Sequence, residues 1–294
     1  MPDYLLPRAR QLSCALLATL ALAVAPAVPR VALAQDDAVS PTPAEPPLAT
    51  YADLVHLADT AAVVALVEVR DQTVVEPERS PGLAPGHARL YLEARTHALL
   101  AGTSVLGESL TYLADMPLDA RGKVPKLRKQ RFLVFADPVP GRPGVLTLVD
   151  PGAQVPATPE TEQLARKAIA DLAGGDVVPA VTGIRDVMSV AGNLTGESET
   201  QLFLETSSGA PVSLTVIRRP GMEPQWGVSW SEIVDQSAMP PEPATIAWYR
   251  LACFLPPQLP RDAFIQDDRS AHARAEIDYA YILKQLGSCP RIRT

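Results

Sequence analysis

The sequence lacks the short motifs by which common enzyme classes are recognised. It has no GxSxG, SxxK or HExxH segment, no Walker loop, no GxGxxG and no EF-hand spacing. Histidine is scarce, and the four residues His56, His87, His97 and His272 are scattered along the chain. We expect each of them to be an ordinary surface or partly buried residue, and we assign no catalytic residue, metal or cofactor. Because triads are defined by geometry rather than by sequence order, a dispersed active site stays open as an alternative.

The sequence also lacks an apolar run long enough to span a bilayer comfortably, which takes about 20 residues. Its longest apolar stretch, residues 12–25, follows the basic residues Arg8 and Arg10 and precedes the small residues Ala32-Leu33-Ala34. This three-part pattern is typical of a cleavable export signal, here residues 1–34, and an uncleaved membrane anchor is the alternative. We expect the mature chain, from Gln35 onward, to be periplasmic or secreted, without a stable membrane anchor.

Cysteine is nearly absent, with three residues in 294. Cys14 would leave with the signal, so the mature chain keeps only Cys253 and Cys289. No CxxC segment exists and no histidine is close to either cysteine in sequence, which argues against a catalytic thiol or a metal site. An even pair in an oxidising compartment predicts a structural disulfide bond.

Positive charge is in deficit, with 26 Lys and Arg against 33 Asp and Glu, a net charge of −7. The predicted signal carries three arginines and one aspartate, a charge of +2, so the mature chain is near −9. This balance argues against nucleic acid as a partner. The 30 prolines are about twice the usual share of ~5%, and they favour a loop-rich globular protein.

The chain up to residue 150 reads as a tether followed by a β-rich unit. Residues 35–49 are proline-rich and predict an extended tether, after which Thr50 is placed to cap a short helix. From Ala88 to Leu100 apolar and polar residues alternate, as in a half-buried strand. Further strands are predicted near residues 62–67, 110–113, 132–135 and 145–149.

A resemblance rests on this order of segments over residues 50–150. Ala58-Asp59 is followed by an apolar strand, a long loop, the alternating strand, Gly102, another strand, a basic loop and Phe132-Leu133-Val134-Phe135-Ala136. This order resembles the OB-like barrel of tissue-inhibitor and netrin-type domains found in exported bacterial proteins. The resemblance implies a small closed or partly open β-barrel. Inhibitors of that family act through an N-terminal cysteine, which the mature chain lacks, so that activity is not carried over.

The second half begins after a connecting segment, residues 151–175. There Thr158-Pro159 predicts a helix start, and Gly174-Gly175 predicts its end. Residues 176–294 predict a β-hairpin around residues 207–210 and two C-terminal helices, near 245–254 and 270–286. The expected fold class is therefore α+β, mainly β: an OB-like small β-barrel followed by a second α+β domain with a β-hairpin sheet and two C-terminal helices.

The disulfide constrains these last two helices. A helix of about 17 residues is ~26 Å long, whereas bonded cysteines have Cα atoms roughly 4.4–6.8 Å apart. Cys253 lies near the end of the first of these helices and Cys289 just past the end of the second, so the connector 255–268 has to run back along the protein. We predict that the C-terminal ends of the two helices meet at the disulfide.

Two groups of residues are candidates for binding. The first is a basic loop that suits an anion or an acidic partner, or else is a solvated hairpin loop that protects a strand edge: Arg121, Lys123, Lys126, Arg128, Lys129 and Arg131. The second lies along one face of the alternating strand and is either a ligand face or a polar outer face: Tyr91, Glu93, Arg95 and His97.

Taken together, these patterns predict an exported, non-catalytic binding or assembly module of the bacterial envelope. Its expected partner is another envelope protein or a small ligand. The first alternative is a periplasmic hydrolase with a dispersed active site, which needs a histidine or a carboxylate pair in a cleft. A protease inhibitor is a third possibility, which rests on the family resemblance alone.

Overall fold

The computed structural model describes residues 47–174, 178–231 and 238–293. The predicted signal peptide and residues 35–46 of the predicted tether lie outside the described residues. The described residues form ten strands and four α-helices, which confirms the α+β, mainly β class. The helices are α1 (Tyr51–Thr60), α2 (Pro159–Ala173), α3 (Ile246–Ala252) and α4 (Arg269–Leu286). The strands are β1 (Val63–Val74), β2 (His87–Ala101), β3 (Ser109–Pro117), β4 (Arg131–Pro138), β5 (Leu146–Leu148), β6 (Gln154–Pro156), β7 (Val181–Ala191), β8 (Ser198–Thr206), β9 (Val212–Arg218) and β10 (Gln225–Ser229).

The first sheet has the strand order β3-β2-β1-β4-β5, and β6 pairs with β4. Its pairs are antiparallel, and an isolated parallel bridge joins Thr111 of the edge strand β3 to Val145, the residue before β5. The sheet therefore curls without closing, which excludes the closed form of the expected barrel, whereas the partly open form stays a prediction. The physical reason is that β5 is three residues long and offers β3 no ladder.

Both faces of the first half of β1, residues 63–67, are buried, which explains the continuous apolar sequence there. Val63, Ala65 and Val67 point into the interior of the curled sheet, where they meet a core that includes Leu90, Leu92, Tyr112 and Phe132. The alternate residues Val64 and Leu66 point the other way, into the main core. Strand β4 is divided in the same way, so β1 and β4 separate two hydrophobic cores.

The second sheet has the order β10-β9-β8-β7 and is antiparallel throughout. It contains the predicted hairpin as β8 and β9, with Gly209 at φ 74° in the turn. Helix α4 packs against β7 and β8. Strand β7 was not expected from the sequence, and its register against β8 shifts twice, between Val181 and Gly183 and between Ile184 and Asp186.

Side-chain caps fix where the helices begin. Thr50 and Asp53 form a reciprocal capping box at α1, and Thr158 and Thr161 form one at α2. Asp268 caps α4 by accepting hydrogen bonds from the backbone of Ser270 and Ala271. These caps confirm the helix starts predicted at Thr50 and Thr158.

The main core is shared by α1, α2, α3, α4 and facing sides of both sheets. It contains wholly or almost wholly buried residues such as Leu54, Phe135, Leu202, Tyr249 and Ile282. The described residues belong to one compact unit. Residues from both sides of the predicted domain boundary at residue 175 therefore contribute to this core. The division into two domains at that point stays a prediction.

Candidate functional site

The basic loop lies between β3 and β4 and is anchored by one side chain of β1. The amide of Gln72 donates from Nε2 to the carbonyl oxygen of Pro125 at 2.9 Å and accepts at Oε1 from the N–H of Leu127 at 2.6 Å. Leu127 is itself buried in the interior of the curled sheet. The middle of the loop is thus held by two hydrogen bonds and one apolar contact.

Backbone hydrogen bonds fix both ends of the same loop. The N–H of Lys129 donates to the Val69 carbonyl at 2.8 Å, and the Val69 N–H donates to the Gln130 carbonyl at 3.0 Å. At the other end, the carboxylate of Asp119 accepts from the N–H groups of Arg121 and Lys123, each at 2.8 Å. The loop is therefore an ordered feature of the surface.

All six basic side chains of this loop are exposed. Arg131 forms an ion pair with Glu162 of α2 at 3.2 Å. Among the described residues, no carboxylate forms an ion pair with any of the other five: Arg121, Lys123, Lys126, Arg128 and Lys129. The structure thus gathers the sequence-predicted cations on one braced loop, and most of them have no ion-pair partner in the part of the chain that the structure describes.

The second predicted group lies on the exposed outer face of β2, and most of its charge is engaged within its own sheet. Arg95 pairs with Glu108 at 3.1 Å, and Nε2 of His97 lies 3.3 Å from a carboxylate oxygen of Glu68. Tyr91 lies opposite Leu113 of β3, and both side chains are exposed. Glu93 is exposed opposite Asp71 of β1. These contacts favour a polar outer face over a ligand face for Tyr91, Glu93, Arg95 and His97.

The cysteine pair is bonded, as predicted. Cys253 and Cys289 have Cα atoms 5.2 Å apart, and they join the C-terminal end of α3 to the segment after α4. A disulfide bond fits an oxidising compartment. In the described part of the chain, no helix is both long and apolar enough to cross a membrane.

Two clefts on α4 were not predicted from the sequence. The first, between α4 and the connector 255–268, has a volume of about 540 Å³ and is lined by His272, Glu276 and Tyr279. The second, of about 580 Å³, lies between α4 and the β7–β8 turn and is lined by Glu197, Ser198, Arg218 and Arg274. The sequence contains one signal for the first cleft that was missed: His272, Glu276 and Tyr279 are spaced at i, i+4 and i+7, so they share one face of a helix beside a proline-rich connector.

These clefts do not bring together the groups that a serine hydrolase needs. The first contains a histidine and a carboxylate but no serine, threonine or cysteine in its lining, and the second contains Ser198 but no histidine. Among the described residues, no group of three or more His, Cys, Asp or Glu side chains is arranged to hold a metal ion.

Comparison with known proteins adds no family. No protein-family model matches the sequence, and a search of curated proteins finds no significant similarity. The geometry of the chain itself is therefore the basis for assigning a function.

Proposed function

We propose that the protein is an exported, non-catalytic binding module of the bacterial envelope that binds an acidic partner protein through its basic loop. The observation that supports this most is the braced loop, in which five cations, Arg121 to Lys129, form no ion pair with the described residues, on a chain of net charge −7. Cations that have no internal partner are available for charge-assisted hydrogen bonds with carboxylates of another molecule.

The bracing of the loop is what distinguishes it from an ordinary solvated loop. Gln72 and Leu127 hold its backbone before any partner arrives, so little loop entropy is lost on binding. Local positive charge also steers an acidic partner toward the loop during encounter, with a strong dependence on ionic strength. A loop that only shields a strand edge requires charge but not this internal fastening.

Export is the other part of the proposal. The three-part pattern of residues 1–34 suits a cleavable signal, and the Cys253–Cys289 bond suits an oxidising compartment. The partner we expect is therefore an acidic protein of the periplasm or cell exterior. The OB-like resemblance of residues 50–150 is compatible with this role, because the strand order β3-β2-β1-β4-β5 suits a partly open five-stranded barrel.

The experiment is affinity capture from envelope extracts with the chain from Gln35 to Thr294. The test variant reverses Lys123, Lys126 and Arg128 to glutamate, because these side chains are exposed and form no ion pair with any residue that the structure describes. Lys129 and Arg131 are left intact, since Lys129 has a positive φ of 68° and Arg131 pairs with Glu162. The matched control reverses Arg166, Arg269 and Lys284, which are exposed on α2 and α4 and change the net charge equally.

We expect wild type and control to capture the same acidic protein, the loop variant to lose it, and added salt to release it. Near-ultraviolet circular dichroism checks that the loop variant stays folded. Equal capture by the loop variant, or capture that salt does not weaken, would refute the proposal and leave the solvated-loop interpretation.

A further inference from the structure

The connector between α3 and α4, residues 255–268, is a strap fastened at both ends. Near its start, the hydroxyl of Tyr279 on α4 donates to the carbonyl oxygen of Pro256 at 2.5 Å, beside the disulfide at Cys253. Near its end, the strap is fastened to β7: the N–H of Ile265 donates to the Val187 carbonyl at 3.2 Å. The Gln266 side chain accepts from the N–H of Ser189 at 2.8 Å.

Between these two fastenings the strap leaves a cleft over α4, which we call the strap cleft. Its volume of about 540 Å³ lies within the range of roughly 300–1,000 Å³ that is usual for small-ligand sites. Because the strap is bonded at both ends, the cleft is formed before any ligand arrives. A preformed site loses little conformational entropy on binding.

The walls of the strap cleft are mostly apolar and aromatic. Leu259 and Phe264 line it from the strap, and Tyr279 and Leu283 line it from α4. The ring of His272 stacks on Phe264 with centroids 4.0 Å apart. Nε2 of His272 lies 2.5 Å from the Gln266 carbonyl oxygen, so its proton is engaged there and the imidazole is part of the wall.

Two side chains of opposite charge line the same cleft. Arg261 belongs to the strap and Glu276 to α4, and both are exposed. Within the described part of the chain neither of them forms an ion pair, although both border one cavity. Each is therefore available for a ligand group of the opposite charge.

We propose that the strap cleft binds a small zwitterion with an apolar side chain, namely a free apolar amino acid or a dipeptide. The ligand ammonium pairs with Glu276, the ligand carboxylate pairs with Arg261, and its apolar group packs against Phe264 and Leu283. A ligand with one charge engages only one of the two side chains, and an apolar ligand engages neither. This site is separate from the basic loop, so it stands or falls independently of the acidic partner.

Calorimetry with the full mature chain tests the ligand class. The probe is the dipeptide phenylalanyl-leucine, compared with its N-acetylated form and its C-terminal amide, which each lack one charge. We expect binding of the dipeptide and a loss on the order of tenfold in affinity for either modified form, the equivalent of 1.4 kcal/mol. No binding of the dipeptide at millimolar concentration, or equal affinity for all three forms, would overturn the proposal.

Two variants then assign each charge to its partner. In Glu276→Gln the distinction between free and acetylated amine should disappear while the amide stays weaker, and in Arg261→Gln the pattern should be reversed. Both residues are exposed, so the fold should be retained, and Glu223→Gln and Arg269→Gln are matched exposed controls that should bind like wild type. Wild-type behaviour of both cleft variants would refute the assignment of the site.

Discussion

The carboxylate of Asp53 on α1 accepts a hydrogen bond from the backbone N–H of Arg293, 240 positions later in the chain, at 3.1 Å. The same oxygen, Oδ1, accepts from the N–H of Ile292 at 3.0 Å. The other oxygen accepts from the N–H and the hydroxyl of Thr50, at 2.8 and 2.9 Å. Asp53 is wholly buried, so one side chain both caps the first helix and fastens the last described residues.

Asp53→Ala should therefore destabilise the protein by more than the loss of a helix cap alone usually does. It removes the acceptor of the part-buried N–H groups of Thr50, Ile292 and Arg293 and half of a capping box, so we expect a loss of about 2–4 kcal/mol in the free energy of unfolding. Asp53→Asn keeps one acceptor and should lose less. Urea denaturation measures both, with the exposed Asp267→Ala as a control that should stay within about 0.5 kcal/mol of wild type. A loss of that small size for Asp53→Ala would contradict this role.

The sequence predicts the local contact of Asp53 with Thr50 but not its distant contact with Arg293. Thr50 was identified as a cap because capping is local and depends on residues three apart. The contact with Arg293 joins the two ends of the described chain, and neither periodicity nor spacing contains that information. Gly152 shows the same limit: a Cβ there would collide with the Arg293 backbone, yet in sequence it is simply a turn glycine.

In the candidate sites, too, the local features can be predicted from the sequence and the long-range contacts cannot. The basic loop is visible in sequence because its six cations fall within eleven residues, although its fastening by Gln72, over fifty positions earlier, is not. The face of β2 was visible as an alternation, but its pairing with Glu68 and Glu108 depends on strand register. The sequence predicts a strand near residues 145–149 but leaves open whether the first sheet closes, because the three-residue length of β5 and its pairing are not contained in the periodicity.

Asp278 is a second wholly buried carboxylate, and its partners lie on the second sheet. It accepts hydrogen bonds from Nε of Arg218 and from the hydroxyl of Thr200, each at 2.5 Å. Arg218→Met should cost about 3–5 kcal/mol in the free energy of unfolding, because it leaves the buried carboxylate without a cation. Adding Asp278→Asn to Arg218→Met should recover part of the loss.

The single variant Asp278→Asn should cost less, about 1–2 kcal/mol, because the Arg218 side chain is 30% exposed and can turn toward water. Guanidinium denaturation of the three variants gives this order directly. If Asp278→Asn lowers the free energy of unfolding as much as Arg218→Met does, the deeper burial of Asp278 relative to Arg218 does not explain the stability of this ion pair.

His56 on α1 should make stability depend on pH. Burial chiefly, and then the positive charge of Arg291, lower the pKa of His56, against the opposing effect of Asp150, Asp59 and Asp53. A histidine with a lowered pKa in the folded state contributes stability above its unfolded pKa of about 6.5, and this is lost as the pH falls through the folded value. The melting temperature of wild type relative to His56→Gln should therefore fall between pH 7.5 and 5. A difference that stays constant over this range would contradict the assignment.

Lys129 in the basic loop has a left-handed backbone, with φ of 68°. A β-branched residue is strained there and glycine is not, so Lys129→Val should be less stable than Lys129→Gly by about 1–2 kcal/mol. Lys126, which is exposed in the same loop and is not among the positive-φ residues, is the matched position. There the valine variant should be at least as stable as the glycine variant. The same order at both positions in urea denaturation would show that backbone strain at Lys129 is negligible.

The disulfide between Cys253 and Cys289 closes a loop with a sequence separation of 36, which contributes roughly 3–4 kcal/mol in the chain-entropy model. The bond joins the ends of α3 and α4, where Nε1 of Trp248 also donates to the Leu286 carbonyl at 2.9 Å. Because this hydrogen bond and the Asp53 contacts remain after the disulfide is removed, the double variant Cys253→Ser/Cys289→Ser should still fold. Its free energy of unfolding should be lower by roughly 3–4 kcal/mol, the contribution of the disulfide.

Mass spectrometry of the unreduced protein should find the two cysteine peptides joined. Free thiols on both residues in protein taken from the envelope, or a loss below about 1 kcal/mol in the double variant, would show that the bond does not brace the C-terminal helices.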